Sequence, residues 1–177
     1  KTECVVVIKS TVPIGTNDKV ERIINEHRKD RGNILVASNP EFLAQGTAVE
    51  NTLHASRIVL GVEERTAKDT LLELYKDFDA PKLVMNRRSA EMVKYASNDF
   101  LALKISYINE IANLCEEIGA DIRDVTRGMG YDSRIGNEFL KAGIGYGGSC
   151  FPKDTKALHW LSSMHDRELK TIKAAIE

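Results

Sequence analysis

A thiol set between a double glycine and a proline is the feature of this sequence best suited to chemistry. In Gly147-Gly148-Ser149-Cys150-Phe151-Pro152-Lys153-Asp154, Pro152 suits the first turn of a helix. Cys150 then falls at the helix start, against the positive end of the dipole, where the nucleophilic thiolate is favoured. Asp154, four residues on, can share its side of the helix. The competing reading is an inert cysteine buried near a cap; the glycines ahead of Cys150 favour the nucleophile. Lys94 and Asn98 are also four apart and share a helix face. Among apolar neighbours, an ammonium and an amide could stabilise a developing oxyanion; the alternative is a snorkelling lysine and a solvated amide. Glu41 follows Asn39-Pro40 at the end of a short apolar run. Strand ends of open α/β sheets are where ligands bind, so Glu41 is a candidate general base.

Other features are weaker. Gly143-Ile144-Gly145-Tyr146-Gly147-Gly148 lacks the order and the preceding strand of a dinucleotide loop, and that reading is rejected. Glycine still lets the backbone approach a phosphate or sugar closely. His27, His54, His159 and His165 share no metal-ligand spacing with the cysteines or each other, so no metal is expected. Cys4, in a strand, and Cys115, on a helix stripe, are read as structural core thiols, and Trp160 and Leu161 as core.

Alternating elements must position these groups. Cys4-Val5-Val6-Val7-Ile8 reads as a buried parallel strand. Thr16 or Asn17 can cap a helix marked by Val20, Ile23 and Ile24, ending in His27-Arg28-Lys29-Asp30-Arg31 and Gly32. Further strands are expected at Ile34-Leu35-Val36-Ala37, Arg57–Val62 and Leu83-Val84-Met85, with a charged amphipathic helix from about Glu64 to Phe78. Strands alternating with helices indicate βαβ units and a parallel sheet. From Ser89 to Ile118 there is no Gly or Pro, which permits one long helix ending at Gly119. It carries two apolar stripes, Leu101, Ile105, Ile108, Ala112 and Cys115, and Leu103, Tyr107, Ile111, Leu114 and Ile118. A helix apolar on two sides is buried on two sides, and the second partner could be another subunit. A short helix from Asp121 to Arg127 and a final one from near Pro152 complete the chain. The expected fold is α/β. Residues 1–86 form the C-terminal half of a Rossmann-like parallel sheet, and residues 87–177 an all-α domain with one long helix.

Composition narrows the function. The 177 residues carry 25 Lys+Arg against 26 Asp+Glu, a net charge of -1, which disfavours nucleic-acid and anionic-membrane partners. The 42% apolar and 29% charged content is that of a globular protein. No apolar run approaches the ~20 residues of a membrane span. Three cysteines read as reduced thiols of a cytoplasmic protein.

The blocks Lys9-Ser10-Thr11-Val12-Pro13-Ile14-Gly15-Thr16, Asn39-Pro40-Glu41-Phe42-Leu43, Lys94-Tyr95-Ala96-Ser97-Asn98, Arg134-Ile135-Gly136, and Phe139-Leu140-Lys141-Ala142-Gly143 running on to Asp154 stand in one order. Together they resemble the UDP-glucose 6-dehydrogenase family, within the wider group of nucleotide-sugar 6-dehydrogenases. The resemblance implies a two-step oxidation of a sugar C6 alcohol to a carboxylate with reduction of two NAD. Cys150 would hold thiohemiacetal and thioester intermediates. Lys94 and Asn98 would stabilise oxyanions, Asp154 would manage protons through a water, and Glu41 would act as base in thioester hydrolysis. Thr11, Gln45, Cys150 and Lys153 would neighbour NAD. Glu41, Phe42, Leu43, Lys94 and Asn98 would contact the UDP-sugar, with Phe139, Leu140, Lys141, Gly143, Tyr146 and Gly147 wrapping it. Arg134 would reach the partner's substrate across a homodimer built on the long helix. Gln45 stands where the family commonly carries a second carboxylate, so the base role falls to Glu41 alone. The family's Gly-rich NAD fingerprint and its C-terminal nucleotide-binding domain are not in this sequence, which implies a piece of a longer enzyme, inactive alone. UDP-N-acetylmannosamine and GDP-mannose are the alternative substrates, and a non-catalytic helical dimerisation module the alternative of a different class.

Overall fold

The structure, a computed structural model, describes residues 3–28 and 32–177. The charged tail Lys29-Asp30-Arg31 expected on the first helix lies outside them. The chain divides into two units, Lys1–Lys94 and Tyr95–Glu177.

The first unit holds β1 (Cys4–Ile8), α1 (Thr16–His27), β2 (Ile34–Ser38), α2 (Ala48–Leu53), β3 (Ile58–Gly61), α3 (Arg65–Leu74), β4 (Lys82–Met85) and the first turns of α4 (Arg87–Ile118). The strands lie in the order β1-β2-β3-β4. β1 pairs β2 and β3 pairs β4 in parallel, each as the βαβ alternation expects. β2 and β3 meet at one antiparallel pair, Ser38 and Gly61.

β2 and β3 are buried on both faces, which is why they read as unbroken apolar runs. One face gives Leu35, Ala37, Ile58 and Leu60 to a core closed by Ala67 and Leu71 of α3. On the other face, Gly61 lies so close to α4 that an added Cβ would fall 2.6 Å from the Ala90 Cβ, so only glycine fits there. β1 corrects the sequence reading. It is an edge strand, half-buried, and Cys4 is exposed rather than a core thiol. Among the described residues it pairs with β2 alone.

The start of α1 is also set differently. Gly15 is the N-cap, at φ 90°, and the expected cap residue Asn17 is buried with its side chain turned to another helix. Glu91 of α4 accepts from Gly15 N at 2.6 Å, Asn17 N at 2.9 Å and Asn17 Nδ2 at 2.6 Å. A buried carboxylate thus satisfies the helix donors that a local side chain usually takes. Arg87, one turn earlier, meets Glu21 at 2.8 Å and Asp18 at 3.2 Å. Removing the carboxylate in Glu91→Ala strands buried N–H groups and is expected to cost about 3 kcal/mol. A denaturant midpoint shifted by less than a tenth of that cost would contradict this role.

The second unit contains the rest of α4, α5 (Ile122–Gly130), α6 (Phe151–Met164) and α7 (Lys170–Ile176). Asp121 caps α5 through Arg123 N, and Gly119, at φ 76°, ends α4. α7 was not expected; it packs on α6 with Ile172 and Ala175 buried. On α4, Ile108 and Cys115 of the first apolar stripe are buried, whereas Tyr107 (50%), Leu114 (54%) and Ile118 (68%) of the second are exposed. Trp160, expected in the core, is 63% exposed, because α6 turns Leu158 inward and places Trp160 on its outer face. Among the described residues no helix is long and apolar enough to cross a membrane.

Candidate active site

The candidate residues fall into one cluster in each unit. In the first, Thr11 follows the end of β1 and Glu41 the end of β2. Lys94, on α4, is 5% exposed; its Nζ lies 3.1 Å from Glu41 Oε1 and 5.4 Å from the centre of the Phe42 ring. Lys94 is therefore not a snorkelling surface lysine. Leu43 N donates to Glu41 Oε2 at 2.8 Å and Thr11 Oγ1 to Oε1 at 3.5 Å. Burial pushes the Glu41 carboxyl up, but the Leu43 N–H and the Lys94 ammonium outweigh it and hold the group below its ordinary value.

The floor beneath Glu41 is polar, and sequence reasoning did not single it out. Asn39 is 1% exposed, accepts from Lys9 Nζ at 2.9 Å and Tyr75 Oη at 2.5 Å, and donates to Val59 O at 2.8 Å. Burial lowers the Lys9 ammonium, with the Glu41 charge opposing it. A cleft of about 290 Å³ opens here, lined by Lys9, Asn39, Glu41, Phe42 and Tyr75 among others. Arg57 stacks on the Phe42 ring at 3.9 Å, fixing one wall. Leu43 is 44% exposed, and Gln45 is exposed in the turn that follows.

In the second unit, Cys150 is the N-cap of α6, with Pro152 in the first turn, as the sequence predicts. Its thiol is exposed, 3.8 Å from Ser149 Oγ. Asp154, one turn along, is 1% exposed. Asn98 Nδ2 donates to Asp154 Oδ2 at 2.6 Å, and the Lys153 ammonium is paired with Oδ1. Asn98 is buried too, so neither half of the helical Lys94/Asn98 pair is solvated. Burial pulls Lys153 down, but Asp154 outweighs that and holds it above its ordinary value.

Residues 131–150 form the loop into α6. Leu140 anchors it in the core at 4% exposure, and Asn109 Oδ1 of α4 accepts from Gly143 N at 2.8 Å. Phe139 and Tyr146 flank the Phe151 ring at 6.1 and 6.4 Å. Phe139 holds φ 63°, a strained value for an aromatic residue. Lys141 and Gly147 are exposed. Arg134 is turned onto Asp132, its guanidinium bonded at 2.6 and 3.0 Å.

The structure also buries Asp99, beside Asn98, which sequence reasoning passed over. Its signal was helical spacing. Arg87, Glu91, Lys94, Tyr95, Asn98, Asp99 and Ala102 follow the i, i+4, i+7, i+8 pattern of a core-facing stripe, and all are buried.

Known proteins share this fold. The model of the NAD binding domain of the UDP-glucose/GDP-mannose dehydrogenase family matches residues 1–79, and that of its central domain residues 88–177. The UDP-glucose 6-dehydrogenase YwqF of Bacillus subtilis is 54% identical over the whole chain, and that of Rhizobium meliloti 49% identical over 97% of it. The chain spans about 40% of the length of each of these relatives. Among solved structures, a UDP-glucose dehydrogenase from Pyrobaculum islandicum matches with TM-score 0.94 and 46% identity, over 98% of this chain and 40% of that one. A GDP-mannose dehydrogenase from Pseudomonas aeruginosa matches with TM-score 0.70 and 32% identity, over 99% of this chain and 41% of that one.

Proposed function

We infer that this chain, which belongs to the UDP-glucose/GDP-mannose dehydrogenase family, supplies the catalytic residues of a cytoplasmic UDP-glucose 6-dehydrogenase. The observation that carries the reading is the pair of clusters. One is an exposed thiol at a helix N-cap followed one turn on by a buried, amide-held aspartate. The other is a buried lysine set on a glutamate at a strand end. Those groups suit aldehyde capture, oxyanion stabilisation and water activation.

Residues of the chain fit NAD at one end only. A pyrophosphate seeks free N–H groups at a helix N-terminus, and those of Gly15 and Asn17 are taken by Glu91. The Thr11 hydroxyl, just past a parallel strand end, suits the nicotinamide end, with Lys153 and Gln45 as further neighbours. When bound there, NAD would supply the acceptor for hydride from the sugar carbon.

The reaction converts the C6 alcohol, two NAD⁺ and one water to the carboxylate, two NADH and three protons. Asp154 takes the hydroxyl proton through a water as the alcohol becomes an aldehyde. The Cys150 thiolate forms an S–C bond to that carbonyl carbon, and Lys94 and Asn98 hold the oxyanion of the thiohemiacetal. Loss of a second hydride from the same carbon leaves a thioester. Glu41 takes a proton from a water whose oxygen attacks it, and the C–S bond breaks with return of the thiolate. As Lys94 turns toward an oxyanion it releases its hold on Glu41, whose proton affinity then rises toward that of a useful base. Phe42, Leu43, Lys141 and the glycine-rich loop would grip the UDP-sugar, and the exposed Tyr107, Leu114 and Ile118 stripe suits a homodimer with Arg134 reaching the partner's substrate.

The test is NADH formation by the full-length protein with UDP-glucose, GDP-mannose and UDP-N-acetylmannosamine. UDP-glucose should give two NADH per sugar and the highest kcat/KM; preference for another sugar would reassign the substrate. Iodoacetamide should label Cys150 roughly tenfold faster than Cys4, which is also exposed, at neutral pH, and UDP-glucose should protect Cys150 alone. Equal labelling rates would favour a non-catalytic helical module.

A further inference from the structure

Asp99 is a buried carboxylate that none of this chemistry uses. It lies on α4 at 1% exposure, and neither carboxyl oxygen receives a hydrogen bond. A carboxylate stripped of both water and donors is costly unless it gives up its charge. Its charged neighbour is Asp154 of α6, equally buried at 1%. The donors of the cluster serve that neighbour. Asn98 donates to Asp154 Oδ2, and the Lys153 ammonium occupies Oδ1. Of two neighbouring buried carboxyl groups, the one without a donor holds the proton.

We propose that Asp99 is the proton-bearing member of an Asp99–Asp154 carboxyl pair, a positioning residue whose neutrality leaves Asp154 the single anion facing Lys153 and Asn98. The proposal rests on reading Asp154 as the proton-handling group of a dehydrogenase. Burial first, and then the Asp154 charge, push Asp99 up to about 7. The other titratable groups that act on this cluster are Tyr95 from α4 and Cys150 ahead of α6, and both act on Lys153. Passing the Asp99 proton to Asp154 moves the charge within the pair without changing its proton count. Losing that proton to solvent sets a second negative charge beside Asp154.

The sign for stability follows. The folded value lies above the unfolded one, so Asp99 favours the fold at low pH. That contribution fades as pH rises from the ordinary carboxylate range to about 7, and changes no further above it.

The experiment uses full-length protein with ¹³C-carboxyl aspartate. One resonance, absent from Asp99→Asn, should titrate near 7 instead of near the model-peptide value of about 4. The pH profile of kcat should show a step near neutrality that Asp99→Asn lacks, while its KM for UDP-glucose changes by less than about twofold. Should Asp99→Asn not fold, Asp99→Glu prepared with ¹³C-carboxyl glutamate keeps the proton, and its signal should still titrate near neutrality. An Asp99 signal titrating near 4, or an unchanged step in Asp99→Asn, overturns the proposal. A protein that oxidises no nucleotide sugar refutes the dehydrogenase reading, and the carboxyl titration still decides the pair.

Discussion

Cys150→Ala in the full-length protein should abolish the two-NADH oxidation of UDP-glucose, lowering kcat by about 10³-fold or more. Without the thiol, the thiohemiacetal from which the second hydride leaves cannot form. What remains is at most the first, reversible step, with its single hydride. The variant should fold normally, because Cys150 is exposed and, among the hydrogen bonds of the described residues, its thiol makes a single long contact with Ser149 Oγ. The cap geometry is backbone, with Asp154 N donating to Cys150 O at 2.9 Å, and alanine preserves it. UDP-glucose binding measured by calorimetry should change little. A variant that keeps a tenth of wild-type NADH formation, at two per sugar, would remove Cys150 from the mechanism.

The second large effect is expected at Lys94. Lys94→Ala removes the buried ammonium that faces Glu41 at 3.1 Å, and with it a preorganised donor for the oxyanion. A loss of about 10²–10³ in kcat corresponds to that of a single oxyanion-hole group. The same substitution acts on Glu41. Burial already pushes this carboxyl up, and without Lys94 the Leu43 N–H, the Thr11 hydroxyl and the Lys9 charge are left to oppose it. The acid limb of the kcat/KM profile should therefore move to higher pH. Stability moves with it. The lowered carboxyl value of the wild type favours the fold above the ordinary carboxylate range, a contribution lost as pH falls through the folded value. In Lys94→Ala that contribution shrinks. Lys94→Arg keeps the charge and should keep the acid limb in place. A kcat loss in Lys94→Ala with an unmoved acid limb would mean that the lysine does not govern Glu41.

Much of the frame was legible without coordinates, because it depends on local spacing. β2 and β3 read as apolar runs since both of their faces are covered. α4 read as one helix since nothing in Ser89–Ile118 interrupts it, and α6 began where its proline placed it. Local rules failed where a distant partner replaced a nearby one. Glu91 caps α1 from 74 residues away, so the local cap residues Thr16 and Asn17 misled. Trp160 likewise follows the outer face of α6.

The sequence by itself determined the chemistry on offer: a cysteine at a helix start, a lysine and an amide one turn apart, and a carboxylate after a strand. Each is a matter of residue type and short spacing, which backbone geometry converts directly into position. Only the tertiary structure decided the charge states around them. It sank Lys94, Asn98, Asp99 and Asp154 from water, gave Glu41 to Lys94, and spent Asn98 and Lys153 on Asp154 while leaving Asp99 with no donor. The buried stripe of α4 escaped hydropathy because it is written in charged and polar residues. Desolvation and pairing depend on what packs across from a side chain, and residues more than 50 positions apart carry no mark of that in their order.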